Sequence, residues 1–157
     1  MQIRKAEVRD IPALNKLLWQ VLDVHHQGRP DLFKGGTKKY TDEELKRILA
    51  DSKTPVFVAE TDSGVEGYAF CVLKQETDSH ILTDVKTLYI DDLCVDKESR
   101  GKGIGSALYR FVLAFAKEQS CYNVTLNVWS CNQDAMAFYQ KLGLQPQKIG
   151  METIIAK

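Results

Sequence analysis

The 157-residue chain is short of several things, and each shortage narrows what it can be. No apolar run approaches the roughly 20 residues that a membrane helix needs, so no membrane partner is expected. The opening residues, Met1-Gln2-Ile3-Arg4-Lys5-Ala6-Glu7, hold no apolar signal core, and a cytoplasmic protein is expected. Neither sign of charge is in excess: 21 Lys plus Arg against 21 Asp plus Glu give a formal net charge of zero. That argues against a strongly basic surface for non-specific nucleic-acid binding. The four cysteines (71, 94, 121 and 131) form no CxxC pair and no regular spacing. Cys71 and Cys94 lie inside strand-like apolar runs and read as buried free thiols. As a nucleophile Cys94 lacks an activating histidine nearby in sequence, since the three histidines stand at 25, 26 and 80.

What is present is ordinary in bulk, with 44% hydrophobic and 27% charged residues, and the length suits one domain over 1–157 with one core. Gln2 to Glu7 reads as a first strand. Asp10 can cap a helix with Pro12 in its first turn, and Ile11, Leu14, Leu17, Leu18, Val21 and Leu22 recur at helical spacing. That pattern ends near His25-His26, and Gln27 to Asp31 reads as a turn. Thr41 and Glu44 form a capping box before a short helix through Leu49. The period then changes to strands at Pro55–Glu60, Val65–Lys74 and Lys86–Val95, with Thr61 to Gly64 as a hairpin turn. A helix is expected over Ser106–Lys117, a central strand over Tyr122–Trp129, and a helix over Asn132–Leu142 closed by Gly143. Leu144 to Lys157 is expected to hold one or two last strands. The order β-α-α-β-β-β-α-β-α-β(-β) is that of an α/β domain with a mixed sheet.

The most informative stretch is Arg100-Gly101-Lys102-Gly103-Ile104-Gly105, between a strand and a helix. Three glycines in five residues allow a tight turn and a close approach of backbone to ligand. The following helix points its free N–H groups and positive dipole end into that turn. This is an anion site suited to phosphate or pyrophosphate, with Arg100 and Lys102 adding charge. It is not a P-loop, because Gly103 rather than Ser or Thr follows Lys102. Nor is it a dinucleotide fingerprint, whose spacing is G-x-G-x-x-G after the first strand. Taken alone, the triplet also fits a plain strand-to-helix turn.

A second segment adds to it. R-x-x-G-x-G, from Arg100 to Gly105, resembles the acetyl-CoA signature of the GCN5-related N-acetyltransferase (GNAT) family. Asn132-x-x-Ala135-x-x-Phe138-Tyr139-x-x-x-Gly143-Leu144 resembles the second motif of the same family, with Leu144 in place of its final Phe. The order of elements fits over the whole chain. The resemblance implies acetyl-CoA as cosubstrate, its pyrophosphate held by the N–H groups of Gly101, Lys102, Gly103, Ile104, Gly105 and Ser106. It implies a pantetheine arm paired to the backbone of Leu93, Cys94 and Val95 as a false strand. A backbone N–H on that strand would face the thioester carbonyl and stabilise an oxyanion. Asn132 would hydrogen-bond the pantetheine arm, besides serving as a helix N-cap.

Acetyl transfer to an amine needs one proton removed and one supplied to the departing thiolate. By the same resemblance Tyr139 is the acid; otherwise it is a core aromatic beside Phe138. Two acids, Asp91 and Asp92, sit in an apolar strand, and strand alternation sends them to opposite faces. The pair resembles that before the acetyl-CoA turn of the diamine (spermidine/spermine) acetyltransferases. On that likeness Asp91 is the favoured base, through a water, or an ammonium-binding group, and Asp92 the second choice. Ion pairing or a solvent-facing strand start is the other explanation of both acids. Positions where other branches of the family place a glutamate are here Tyr89 and Asn127, neither a base. That favours a small-molecule amine over a protein acceptor. His25 and His26 lie in the region that covers the acceptor site in the family; they can bind substrate, or simply suit a helix end. Adjacent histidines alone do not close a coordination shell, so no metal is expected. A protein or peptide N-acetyltransferase, an inactive CoA-binding module and a nucleotide-binding module remain as alternatives. The acceptor is not legible, and a homodimer is compatible with the sequence without being read from it.

Overall fold

The computed structural model describes residues 1–156. It divides into two compact units, Met1–Asn127 and Val128–Lys157. The first unit holds β1 (Gln2–Lys5), α1 (Ile11–Gly28), α2 (Asp42–Ala50), β2 (Val56–Thr61), β3 (Gly64–Gln75), β4 (Lys86–Val95), α3 (Ile104–Glu118) and β5 (Asn123–Leu126). Short 3-10 turns, Val8–Asp10 and Lys97–Ser99, precede α1 and α3. The second unit carries α4 (Gln133–Lys141). The sheet runs β1-β2-β3-β4-β5, antiparallel throughout except for the parallel β4–β5 pair. This is the mixed α/β sheet expected from the change of hydrophobic period.

Two layers of helix sandwich that sheet. Ile11, Leu14, Leu17 and Leu18 of α1 and Leu45 of α2 are buried with Val56, Val58, Tyr68, Phe70 and Cys94 in one cluster. Each such aliphatic side chain contributes roughly 2 kcal/mol of burial. On the opposite face Phe57 of β2 meets Phe111 and Phe115 of α3 edge-on, with centroids 5.0 and 5.1 Å apart. Gly67 makes that approach possible: a Cβ there would lie 3.0 Å from Leu108 Cδ1 and 3.1 Å from Ile104 Cγ2. A glycine inside β3 therefore seats the first turns of α3 on the sheet.

Local chemistry explains where the elements begin and where they depart from expectation. Thr41 and Glu44 form the capping box of α2, with reciprocal bonds of 3.2 Å. Asp10 precedes α1 but does not cap it; its carboxylate accepts from the Glu7 N–H and from both terminal nitrogens of Arg4. The intervening 3-10 turn makes Asp10 a closing group for Glu7, and the Arg4 fork ties β1 to α1. Helix α1 runs on through Gly28, past the expected turn at Gln27. Helix α3 begins at Ile104, two residues before the expected Ser106. Strand β5 is four residues long, not eight, because its ladder with β4 stops at Ile90↔Leu126. The last one or two strands expected over Leu144 to Lys157 are not formed among the described residues: 144–156 carries no regular secondary structure, and Lys157 lies outside them.

Candidate active site

The glycine turn is open. Gly101 and Gly103 adopt left-handed φ values of 80° and 81°, and a Cβ on either would meet nothing within 4 Å. Gly103 is the N-cap of α3 and has no side chain with which to cap it. The Ala107 N–H already bonds the Gly103 carbonyl at 3.0 Å. The N–H groups of Ile104, Gly105 and Ser106 are therefore the first-turn donors without an intrahelical acceptor. Arg100 and Lys102, just before them in the chain, are exposed.

Buried polar groups hold the turn in place, and sequence reasoning missed them. Asp96, 5% exposed, accepts from Lys16 Nζ and from the Glu98 N–H. The Lys16 ammonium holds its carboxyl below the usual range. Ser99 donates to Glu66 at 2.7 Å, and the Lys97 N–H donates to Gln20 Oε1 at 3.1 Å. The only sequence signal was an Asp directly after an apolar strand, which is also a common turn residue.

The strand before the turn leaves one edge bare. β4 pairs with β5 over Thr87–Ile90 only, while its pairing with β3 continues to Val95. Residues 91–95 thus have no ladder partner on the side away from β3. The cause sits in register: Cys71 pairs with Ile90 and Phe70 with Asp92, so Asp91 is the extra residue of a β-bulge. A bulge bends its strand and ends pairing, which is what happens at Ile90. Leu93, Cys94 and Val95 lie on this stretch.

The bulge also corrects the expectation that alternation sends the two acids to opposite faces. Asp91 accepts from the Tyr40 hydroxyl and from Lys39 Nζ at 2.8 Å. Asp92 accepts from the Tyr68 hydroxyl at 2.7 Å. Tyr40 and Tyr68 both pack on Phe70, at 5.6 and 4.8 Å, so both carboxylates reach the α1/α2 face of the sheet. Two residues opposite one leave no alternation to keep them apart. Burial pushes the Asp92 carboxyl up to about 6, against the Tyr68 hydrogen bond and the Lys39 charge, which lower it. Burial, with the bond to Asp91, raises the Tyr40 phenol above its ordinary value.

His25 feels the Lys39 charge, as Asp92 does. Burial first, and that charge second, lowers its pKa, which keeps the imidazole neutral near pH 7. Its ring lies 5.0 Å from Phe33. His26 meets the same loop: Nδ1 lies 2.7 Å from the Phe33 carbonyl, and the ring sits where a Gly35 side chain would be. His26 fastens the 29–37 loop to α1. Cys94 is buried, with Sγ 3.7 Å from the Leu17 carbonyl, and burial raises its thiol pKa. Asn127, one residue past the end of β5, donates from Nδ2 to the Tyr89 hydroxyl of β4 at 3.2 Å.

The second unit places its motif residues on one short helix. Asn132 caps α4 by accepting from the Ala135 N–H at 3.1 Å, which leaves its amide nitrogen available. Tyr139 stands two residues before the helix end, its ring 5.1 Å from Phe138. The helix closes with Gly143 at φ 95°, the Leu144 N–H on the Tyr139 carbonyl and the Gly143 N–H on Gln140. That is a Schellman motif, and it accounts for the glycine of the sequence pattern.

A mixed sheet with a bulged, half-unpaired strand running into an open glycine turn defines an acetyltransferase fold. The chain belongs to the acetyltransferase (GNAT) family, whose profile matches residues 18–144 and whose members use acetyl-CoA. It is 31% identical to human N-acetyltransferase 8B over 119 residues, 68% of this chain and 49% of that one. It is 27% identical to glucosamine 6-phosphate N-acetyltransferase of Arabidopsis thaliana over 128 residues, 73% of this chain and 78% of that one. The chain thus spans about half the length of the human relative. A crystal structure of a Bacillus halodurans protein, 30% identical, superposes with a TM-score of 0.95 over 99% of this chain and 100% of that one.

Proposed function

We propose that the chain works as a single domain that transfers an acetyl group from acetyl-CoA to a primary amine of a small molecule. The observation that carries this reading is the unpaired 91–95 edge of β4 leading into the open amides of 104–106. The edge suits an amide-bearing arm, and the turn suits a pyrophosphate. Acetyl-CoA supplies the activated acetyl thioester. The N–H groups of residues 101–106, with Arg100 and Lys102, hold its phosphates, and the backbone of Leu93, Cys94 and Val95 holds the pantetheine arm. Asn132 steadies that arm with its amide, and Tyr139 protonates the departing thiolate.

Asp92 takes the amine proton, through a water. A carboxyl near 6 is matched to that task, whereas Asp91 is engaged by Lys39 and Tyr40. Asp91, the base favoured by the diamine acetyltransferase likeness, instead orients the acceptor beside Asp92. His25, kept neutral by burial, is assigned with His26 to bind that acceptor. The relatives support small amines as acceptors: thialysine N-epsilon-acetyltransferase of Bos taurus and the Arabidopsis glucosamine 6-phosphate enzyme carry them in their names. Four free cysteines fit a reducing, cytoplasmic setting. No described helix is long and apolar enough to cross a membrane.

The test is a panel of amines with detection of released CoA thiol: polyamines, thialysine, glucosamine 6-phosphate, aminoglycosides and short peptides. One or more small amines should give turnover well above hydrolysis of acetyl-CoA. Turnover confined to peptides would overturn the small-molecule reading.

A further inference from the structure

Lys39 has no part in the transfer itself, yet it stands at the carboxylate pair. Its Nζ donates to Asp91 Oδ2 at 2.8 Å, and the Tyr40 hydroxyl donates to the same oxygen. Local structure fixes that position. Tyr40, the next residue, packs on Phe70 at 5.6 Å, and Thr41 opens α2 with its capping box. The Lys39 ammonium also lies 5.4 Å from the Tyr40 ring centroid. The neighbouring cations are directed elsewhere. Lys38 donates to Asp42 at 2.7 Å and to Asn15, and Arg29 pairs with Asp31 at 2.8 Å. Burial raises the Asp92 carboxyl, and the Lys39 charge is among the influences that lower it.

That charge acts on an acceptor in two ways. A diamine that set its far ammonium on Asp91 would meet Lys39 at the same carboxylate, and like charges so close repel. A lysine ammonium has donors to spare beyond the Asp91 bond, and this side chain is 44% exposed, within reach of a solute. We propose that Lys39 selects the acceptor: the enzyme takes amines that carry an anion, a carboxylate or a phosphate, which sits on the Lys39 ammonium while the amine stands at Asp92. Attraction for the anion and repulsion of a second ammonium then work in the same direction. Asp91 orients the acceptor through Lys39, which it holds. The inference rests on the acetyl-transfer reading above and deepens it by naming the class of amine.

Pairs of acceptors that differ only by the anion test it, with CoA-thiol release giving kcat and KM for each. Ornithine is set beside putrescine and thialysine beside its decarboxylated form for a carboxylate, and glucosamine 6-phosphate beside glucosamine for a phosphate. The best acceptor should be an anion-bearing member, with kcat/KM about tenfold or more above its counterpart and the difference carried by KM. The pair that shows it identifies the anion. Lys39→Gln should bring that ratio to about one, Lys39→Arg should keep it, and Lys39→Glu should reverse it. An exposed ion pair adds little to stability, so these variants should fold. A lysine that merely tied its loop to β4 would affect both members alike and leave the ratio in place. Equal kcat/KM within the pairs, turnover confined to anion-free amines, or a ratio that survives Lys39→Gln would each overturn the inference while acetyl transfer to small amines stood. No turnover of any small amine would overturn that reading, and this inference with it.

Discussion

Asp92 places opposite demands on the molecule at the scale of one side chain. Its carboxyl ionises at about 6 in the native protein and near the ordinary 3.9 when unfolded. The native state thus holds a proton that the unfolded chain has released, and stability from this group falls as pH rises from about 4 to about 6. Asp92→Asn should raise stability at pH 8 by roughly 1 to 3 kcal/mol while turnover drops. Urea unfolding at pH 8 and pH 4 checks the sign, since the gain should shrink at the lower pH. A variant less stable than wild type at pH 8 would mean that the Tyr68 bond outweighs the buried charge. Tyr139→Phe should lower kcat by about 100-fold and leave the Kd for acetyl-CoA unchanged. Stopped-flow binding beside steady-state rates separates the two, and unchanged turnover removes Tyr139 as the acid. At this scale the turn glycines were legible, because glycine takes a left-handed φ without a steric cost. Tyr40, Lys39, Tyr68 and Asp96 were not, since their meaning comes from partners 24 to 80 residues away.

The bulge at Asp91 is the decisive device among the elements. It ends the β4–β5 ladder and turns both carboxylates to one face. Deleting Asp91 leaves Ile90 opposite Cys71 and Asp92 opposite Phe70, so the β3–β4 ladder becomes regular without a register slip. The variant should therefore stay folded by circular dichroism. A straightened β4 should let β5 pair further along, closing the slot, and acetyl-CoA affinity should fall by about tenfold or more, some 1.4 kcal/mol. Affinity unchanged by calorimetry would show that the bulge does not open the edge. The sequence showed β4, α2 with its capping box and the glycine-ended α4, because each follows from contacts within a few residues. It did not show the bulge, the true start of α3 at Ile104 or the short β5, which depend on neighbouring strands.

For the molecule as a whole, ligand and fold share one free energy. A cosubstrate that binds only the native state at a hundred times its Kd adds about 2.7 kcal/mol of stability. Acetyl-CoA and CoA should therefore raise Tm by several degrees, and ATP and NAD should not. A comparable shift with ATP or NAD would favour a nucleotide-binding module instead. The sequence by itself determined the class of protein: a period that changes from helical to alternating, and two motifs whose glycines and polar groups act through backbone geometry close by in the chain. Only the tertiary structure decided how β4 is bent, where its edge lies bare, which side the two acids face and how far Asp92 is desolvated. Those properties are set by register, burial and field, which belong to residues far apart in sequence and brought together by folding.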